Sequence, residues 1–125
     1  MNNILILSTM LFLHIVDDYK LQGILANMKQ IQWWKNHPEY TDKYKYDYIP
    51  ALIEHSYSWS FMIMLPIILY LKPIAVWWVS ALIINMIIHA VIDDLKANKL
   101  KINLIVDQSI HILQIFITWL VFISI

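Results

Sequence analysis

Seven side chains carry most of the chemistry this sequence is capable of: His14, Asp18, His55, His89, Asp93, Asp107 and His111. His89 and Asp93 are four apart, as are His14 and Asp18 and, in reverse order, Asp107 and His111. Positions four apart on a helix share a face, so each pair presents an imidazole beside a carboxylate. Three such pairs inside apolar stretches, with His55 in a fourth, make a ligand set for one or two divalent metal ions. The chain has no cysteine, so the ligands are nitrogen and oxygen. That set suits zinc first, then manganese or iron, and disfavours soft copper(I).

A metal held this way can polarise an ester or phosphoester and lower the pKa of a bound water. Asp18, Asp93 or Asp107, where not fully committed to metal, is the expected base. Lys96 and Gln22 are positioned to hold substrate oxygens, and Gln22 and Gln108 to line the bound cofactor. Asp17 and Asp94 fall off the shared faces and read as supporting or interfacial groups. Glu54 flanks His55 and is ambiguous, and His37, in a polar stretch, has no expected role in the site.

The segments around these residues are membrane-like. The 125 residues are 60% hydrophobic with one glycine, and the mean hydropathy is +0.59. Net charge is zero, which implies neither an acidic nor a basic partner. Every cationic residue is a lysine, so bidentate guanidinium recognition of phosphate is excluded. No phosphate loop, nucleophile elbow, Rossmann glycine pattern or nucleic-acid-binding surface is present.

The expected fold is all-α: a single domain, residues 1–125, forming an integral-membrane bundle of four transmembrane helices. The spans fall at about 3–28, 50–71, 74–97 and 102–125. The first apolar run leads directly into His14 and Asp17-Asp18 and has no basic leader, so it reads as a retained membrane helix. Pro50 suits a first helical turn, and Lys72-Pro73 marks a tight turn. Residues 29–48, rich in Trp, Tyr and Lys, read as an interfacial loop anchored on the membrane, with a lid over the site as the sharper alternative. Trp77-Trp78 is a second interfacial belt, and Met62, Met64 and Met86 are core fillers.

Lysine placement sets orientation. Lys29, Lys35, Lys43 and Lys45 lie between helices one and two, and Lys96, Lys99 and Lys101 between three and four, against Lys72 alone on the other side. The positive-inside tendency puts these loops in the cytoplasm and both termini outside. In that arrangement every His/Asp group falls within roughly 5–15 Å of the inner helix ends. Uncompensated charges at such depth cost roughly 2.5–3.5 kcal/mol each on insertion scales. Lys20 and Lys96 lie too near the interface to neutralise three aspartates, which leaves the metal as counter-charge, much as in soluble carboxylate/His bundles.

The motifs His14-Ile-Val-Asp-Asp18-Tyr19-Lys-Leu-Gln22, His55, His89-Ala-Val-Ile-Asp93-Asp-Leu-Lys96 and Asp107-Gln108-Ser-Ile-His111 together resemble domain-of-unknown-function family 3307. The resemblance implies a small bacterial or phage integral-membrane protein, with Asp18 rather than Asp17 as the matching acid. It brings no established activity, and the long Trp/Tyr-rich loop departs from the family's shorter, more basic one.

The leading expectation is therefore a membrane-embedded, metal-dependent hydrolase acting on a lipid-like ester or phosphoester at the cytoplasmic surface, alone or as a homo-oligomer. A small transporter or ion- or proton-conducting protein is the alternative, as is an effector whose metal is purely structural. A conduction path needs polar groups reaching the outer face, and residues 61–71 and 115–125 are largely apolar.

Overall fold

The computed structural model describes residues 2–125. Helix α1 runs Asn3–Val16, with the Asn2 side chain accepting from the Ile4 amide. Two short helices follow, α2 (Leu25–Met28) and α3 (Ile31–Lys35). The long helices are α4 (Tyr48–Tyr70), α5 (Ala75–Ala97) and α6 (Leu104–Ser124). There is no strand among the described residues.

The long helices account for the hydropathy. Helix α4 with its single-turn lead-in, helix α5 and helix α6 are each long and apolar enough to cross a membrane. At 1.5 Å per residue, α5 reaches about 35 Å and α6 about 32 Å, against a hydrocarbon core of about 30 Å. Pro50 sits in the first turn of α4, where its missing N–H has no intrahelical acceptor to lose. Pro66 lies inside the same helix and removes one backbone bond, which is tolerated among packed helices.

The first element departs from expectation. A helix over 3–28 was anticipated as a fourth span, but α1 proper ends at Val16 and spans only about 21 Å. It then widens into a π-type turn over Asp17–Leu21, with the Gln22 amide donating to the Asp17 carbonyl. Gly23, at φ +51°, ends the helical path. This left-handed conformation is where glycine costs least. The chain folds back at that point, which the apolar pattern of residues 24–28 did not reveal.

Helix α1 packs on α4 and α6, and α5 packs on α4 and α6. The shared interior at one end is apolar, built from Ile6, Met10, Ile63, Met64, Ile67, Trp78, Leu82, Ile115 and Phe122. Outward faces carry exposed aliphatics such as Ile83, Ile84, Ile87, Ile112 and Ile117, a surface suited to lipid rather than water. Trp59 caps the apolar interior, and beyond it the interior turns polar.

Candidate metal centre

Each long helix contributes one inward face to the polar end. His55 comes from α4, His89 and Asp93 from α5, and Asp107 and His111 from α6, all fully buried. Asp18 arrives from the π-type turn and is 5% exposed. The extra residue in that turn places both Asp17 and Asp18 inside, whereas a regular helix rotates neighbours about 100° apart. Such π-type insertions recur at functional sites.

The six side chains converge closely. His55 Nε2 lies 3.4 Å from Asp18 Oδ1 and 3.3 Å from Asp93 Oδ2, and 3.1 Å from His89 Nε2. His89 Nε2 is 3.7 Å from Asp93 Oδ2. His111 Nε2 is 3.5 Å from Asp93 Oδ1 and 3.4 Å from Asp107 Oδ1. Ligands about 2.1 Å from a tetrahedral zinc are separated from one another by about 3.4 Å, and these spacings bracket that value. Two triads have donor atoms close enough to share an ion: Asp18–His55–His89 and His89–Asp93–His111.

The rings are oriented by stacking. Trp59 lies over His89 at 4.2 Å, and His89 over His111 at 4.1 Å, with interplanar angles of 22° and 27°. Two imidazolium cations stacked at that distance would repel strongly, so at least one of His89 and His111 is neutral. The Nδ1 atoms of His55, His89 and His111 have no hydrogen-bond partner among the described residues. For His89 and His111 stacking thus takes the place of the usual Nδ1–H bond to a carboxylate or carbonyl, while the His55 ring meets His89 edge-on at 5.0 Å.

His14 is near the centre but engaged differently. The Trp59 indole Nε1–H donates to its Nδ1 at 2.8 Å. Its Nε2 must then carry the proton of the neutral ring and donate to Gln108 Oε1, 3.1 Å away. Gln108 turns its amide nitrogen toward Asp18 Oδ2 at 2.7 Å and Asp107 Oδ2 at 3.0 Å. The chain Trp59→His14→Gln108→Asp18/Asp107 therefore fixes two carboxylates of the centre and uses both nitrogens of His14.

Two lysines reach in: Lys96, expected at the site but too near the interface to neutralise three aspartates, does pair with one, and Lys29 was not indicated by the sequence at all. Lys29, expected in the interfacial loop, is 5% exposed, with its ammonium 2.5 Å from Asp93 Oδ2 and 3.1 Å from Gln22 Oε1. Lys96 donates to Asp107 Oδ2 at 2.6 Å. Gln22 spends its amide nitrogen on the Asp18 carbonyl. Asn98 holds the returning chain, accepting from the Ile31 amide at 2.8 Å and donating to the Lys29 carbonyl at 3.0 Å. Asp17, behind Asp18, accepts from Ser58 at 2.6 Å. Asp94 faces outward to Asn98 and Lys99. Glu54 and His37 are exposed.

A second polar cluster lies one helical turn deeper. Asn85, Gln114 and Thr118 are buried together, with Gln114 Nε2 and Thr118 Oγ1 donating to Asn85 Oδ1 at 2.8 and 3.2 Å. It continues the faces of His89 and His111 by steps of four and three, a periodicity that could have exposed it in the sequence. A groove of about 650 Å³ between α1 and α6, lined by Leu11, His14, Ile15, Tyr19, Gln108 and Ile112, opens beside the centre and ends on His14 and Gln108.

No protein-family model, curated protein or solved structure matches the chain.

Proposed function

We propose that the chain is a membrane-embedded metal-binding protein whose main helices enclose one divalent cation, held by the triad His89–Asp93–His111 with Asp18 and His55 beside it. The observation that carries this reading is the convergence of three imidazole Nε2 atoms and the carboxylates at 3.1–3.7 Å. Charge supports it. Asp17, Asp18, Asp93 and Asp107 face only two ammonium groups, Lys29 and Lys96, leaving a formal excess of two negative charges. One divalent ion with neutral histidines balances that excess. Two ions would overshoot it, which favours the smaller of the two expected stoichiometries. The donor set favours zinc.

We further propose that the metal serves hydrolysis of a lipid-like ester or phosphoester. The α1–α6 groove supports this, because its walls are apolar and its polar end is Gln108, one hydrogen bond from Asp18 and Asp107. The metal would supply Lewis-acid polarisation of the scissile group. Asp107, with Oδ1 free of hydrogen bonds among the described residues, is placed to take a proton. Lys96 holds the other oxygen of Asp107, so its first task is positioning that base. Lys35, Lys43, Lys45, Lys99 and Lys101 at this end of the bundle, against Lys72 at the other, support placing it at the cytoplasmic leaflet with both termini outside.

Assaying p-nitrophenyl acetate and bis(p-nitrophenyl) phosphate in detergent micelles tests the hydrolytic reading. Turnover by zinc-loaded wild type that is abolished by chelation and absent in His89→Ala is expected. Metal-replete protein with no turnover of either probe would move the reading to a structural metal. The Asn85–Gln114–Thr118 cluster favours a second reading, an ion or proton path continuing inward from the centre. Metal- or proton-driven flux in liposomes, lost in Asn85→Leu, would mark that reading as correct.

A further inference from the structure

The loop that follows α3 builds a second pocket, away from the His/Asp centre. Trp34, His37, Glu39, Tyr40 and Tyr44 line a cavity of about 170 Å³. Its scaffold is fixed from within. The Trp34 indole Nε1–H donates to the Met28 carbonyl at 2.7 Å. His37 Nδ1 lies 2.8 Å from the Trp33 carbonyl oxygen, an obligate acceptor, and its ring stands against Trp33 at 4.2 Å. Trp34, Tyr40 and Tyr44 are half-buried, whereas Glu39 is exposed and makes no ion pair among the described residues.

Three electron-rich rings and one carboxylate around a small cavity form the chemistry of an ammonium site. The faces of Trp and Tyr attract cations, and aromatic cages of this composition recognise alkylated ammonium groups. The chain samples the same attraction itself, since Lys43 Nζ stands 5.7 Å from the Tyr44 ring centroid. The cavity is smaller than the roughly 300–1,000 Å³ typical of drug-sized ligands, which sizes the guest as a head group. The pocket lies in the stretch from α3 to α4, which is rich in Trp and Tyr, residue types that favour the lipid head-group level.

We propose that this aromatic cage binds an alkylammonium group, with Trp34, Tyr40 and Tyr44 facing the cation and Glu39 supplying the counter-charge. The group can arrive as the head of a zwitterionic phospholipid or as a free amine, and the cage chemistry is the same for both.

The test uses the full chain in dodecyl maltoside and calorimetric titration with choline and with its neutral isostere 3,3-dimethylbutan-1-ol. Saturable choline binding at least about tenfold tighter than the isostere is expected, and Glu39→Gln and Tyr44→Leu should each weaken it about threefold to tenfold. Metal content and helicity equal to wild type certify that these variants are folded. Equal affinity for choline and the isostere, or no saturable binding of choline, overturns the proposal. Repeating the titration in nanodiscs identifies the source. Choline weakened in phosphatidylcholine or phosphatidylethanolamine discs relative to phosphatidylglycerol discs assigns the cage to lipid heads. Equal choline affinity in all discs assigns it to a soluble amine.

Discussion

Lys29 and Asp93 are 64 residues apart, yet the lysine ammonium lies 2.5 Å from the carboxylate at the centre of the polar cluster. The contact exists because Gly23 turns the chain back and Asn98 clamps the returning backbone at Ile31 and Lys29. It converts a lysine that reads as a topology signal into part of the buried charge balance. It also explains how four acidic groups share one buried interior, since each ammonium removes one negative charge from those a bound metal would balance.

Lys29→Met should therefore destabilise the metal-free protein by about 3–5 kcal/mol, the cost of stranding one partner of a buried pair. The loss should be smaller with zinc bound, because the ion takes over part of the neutralisation. Denaturant unfolding with and without chelator measures both values. An equal loss in the two states would separate Lys29 from the metal.

His89→Ala and Asp93→Ala should each lose bound metal, and Asp94→Asn should keep it. His89 and Asp93 are fully buried in the cluster, whereas Asp94 turns out to Asn98 and Lys99. Metal retained at wild-type levels in both alanine variants would remove α5 from the site.

His14→Ala should retain the metal but bind it about 10–100-fold more weakly, as expected for a group that orients ligands through a hydrogen bond. Both ring nitrogens of His14 are already engaged by Trp59 and Gln108. Competition against a chelator of known affinity reads this directly. Complete loss of metal, as in His89→Ala, would make His14 a ligand.

The i, i+4 pairs were legible in the sequence because helical periodicity alone puts His89 with Asp93 and Asp107 with His111. Their convergence followed from placing the helix ends at one depth. Three features were not legible. The π-type turn that brings Asp17 inside depends on tertiary packing rather than on any local pattern. Lys29 enters only through the fold-back at Gly23, and a single glycine in an apolar run signals a helix end weakly. The ring nitrogens of His14 are allotted by Trp59, 45 residues away, so a helix-spaced His/Asp pair reads the same whether its histidine binds metal or orders its neighbours.

Orientation can be checked on the native background, since the chain has no cysteine. Asn36→Cys should react with membrane-impermeant maleimide only when the cytoplasmic face is opened. Labelling from the outside of intact cells would reverse the topology and move the centre to the other leaflet.

The most direct measurement is elemental analysis of detergent-purified protein, alongside His89→Ala prepared identically. One divalent ion per chain in the wild type, with zinc the leading element, and background levels in the variant are expected. Wild type equal to background after growth and purification in zinc-supplemented, chelator-free conditions would contradict the central claim. The excess negative charge would then be balanced by protons on the histidines, and the cluster would be a metal-free polar network.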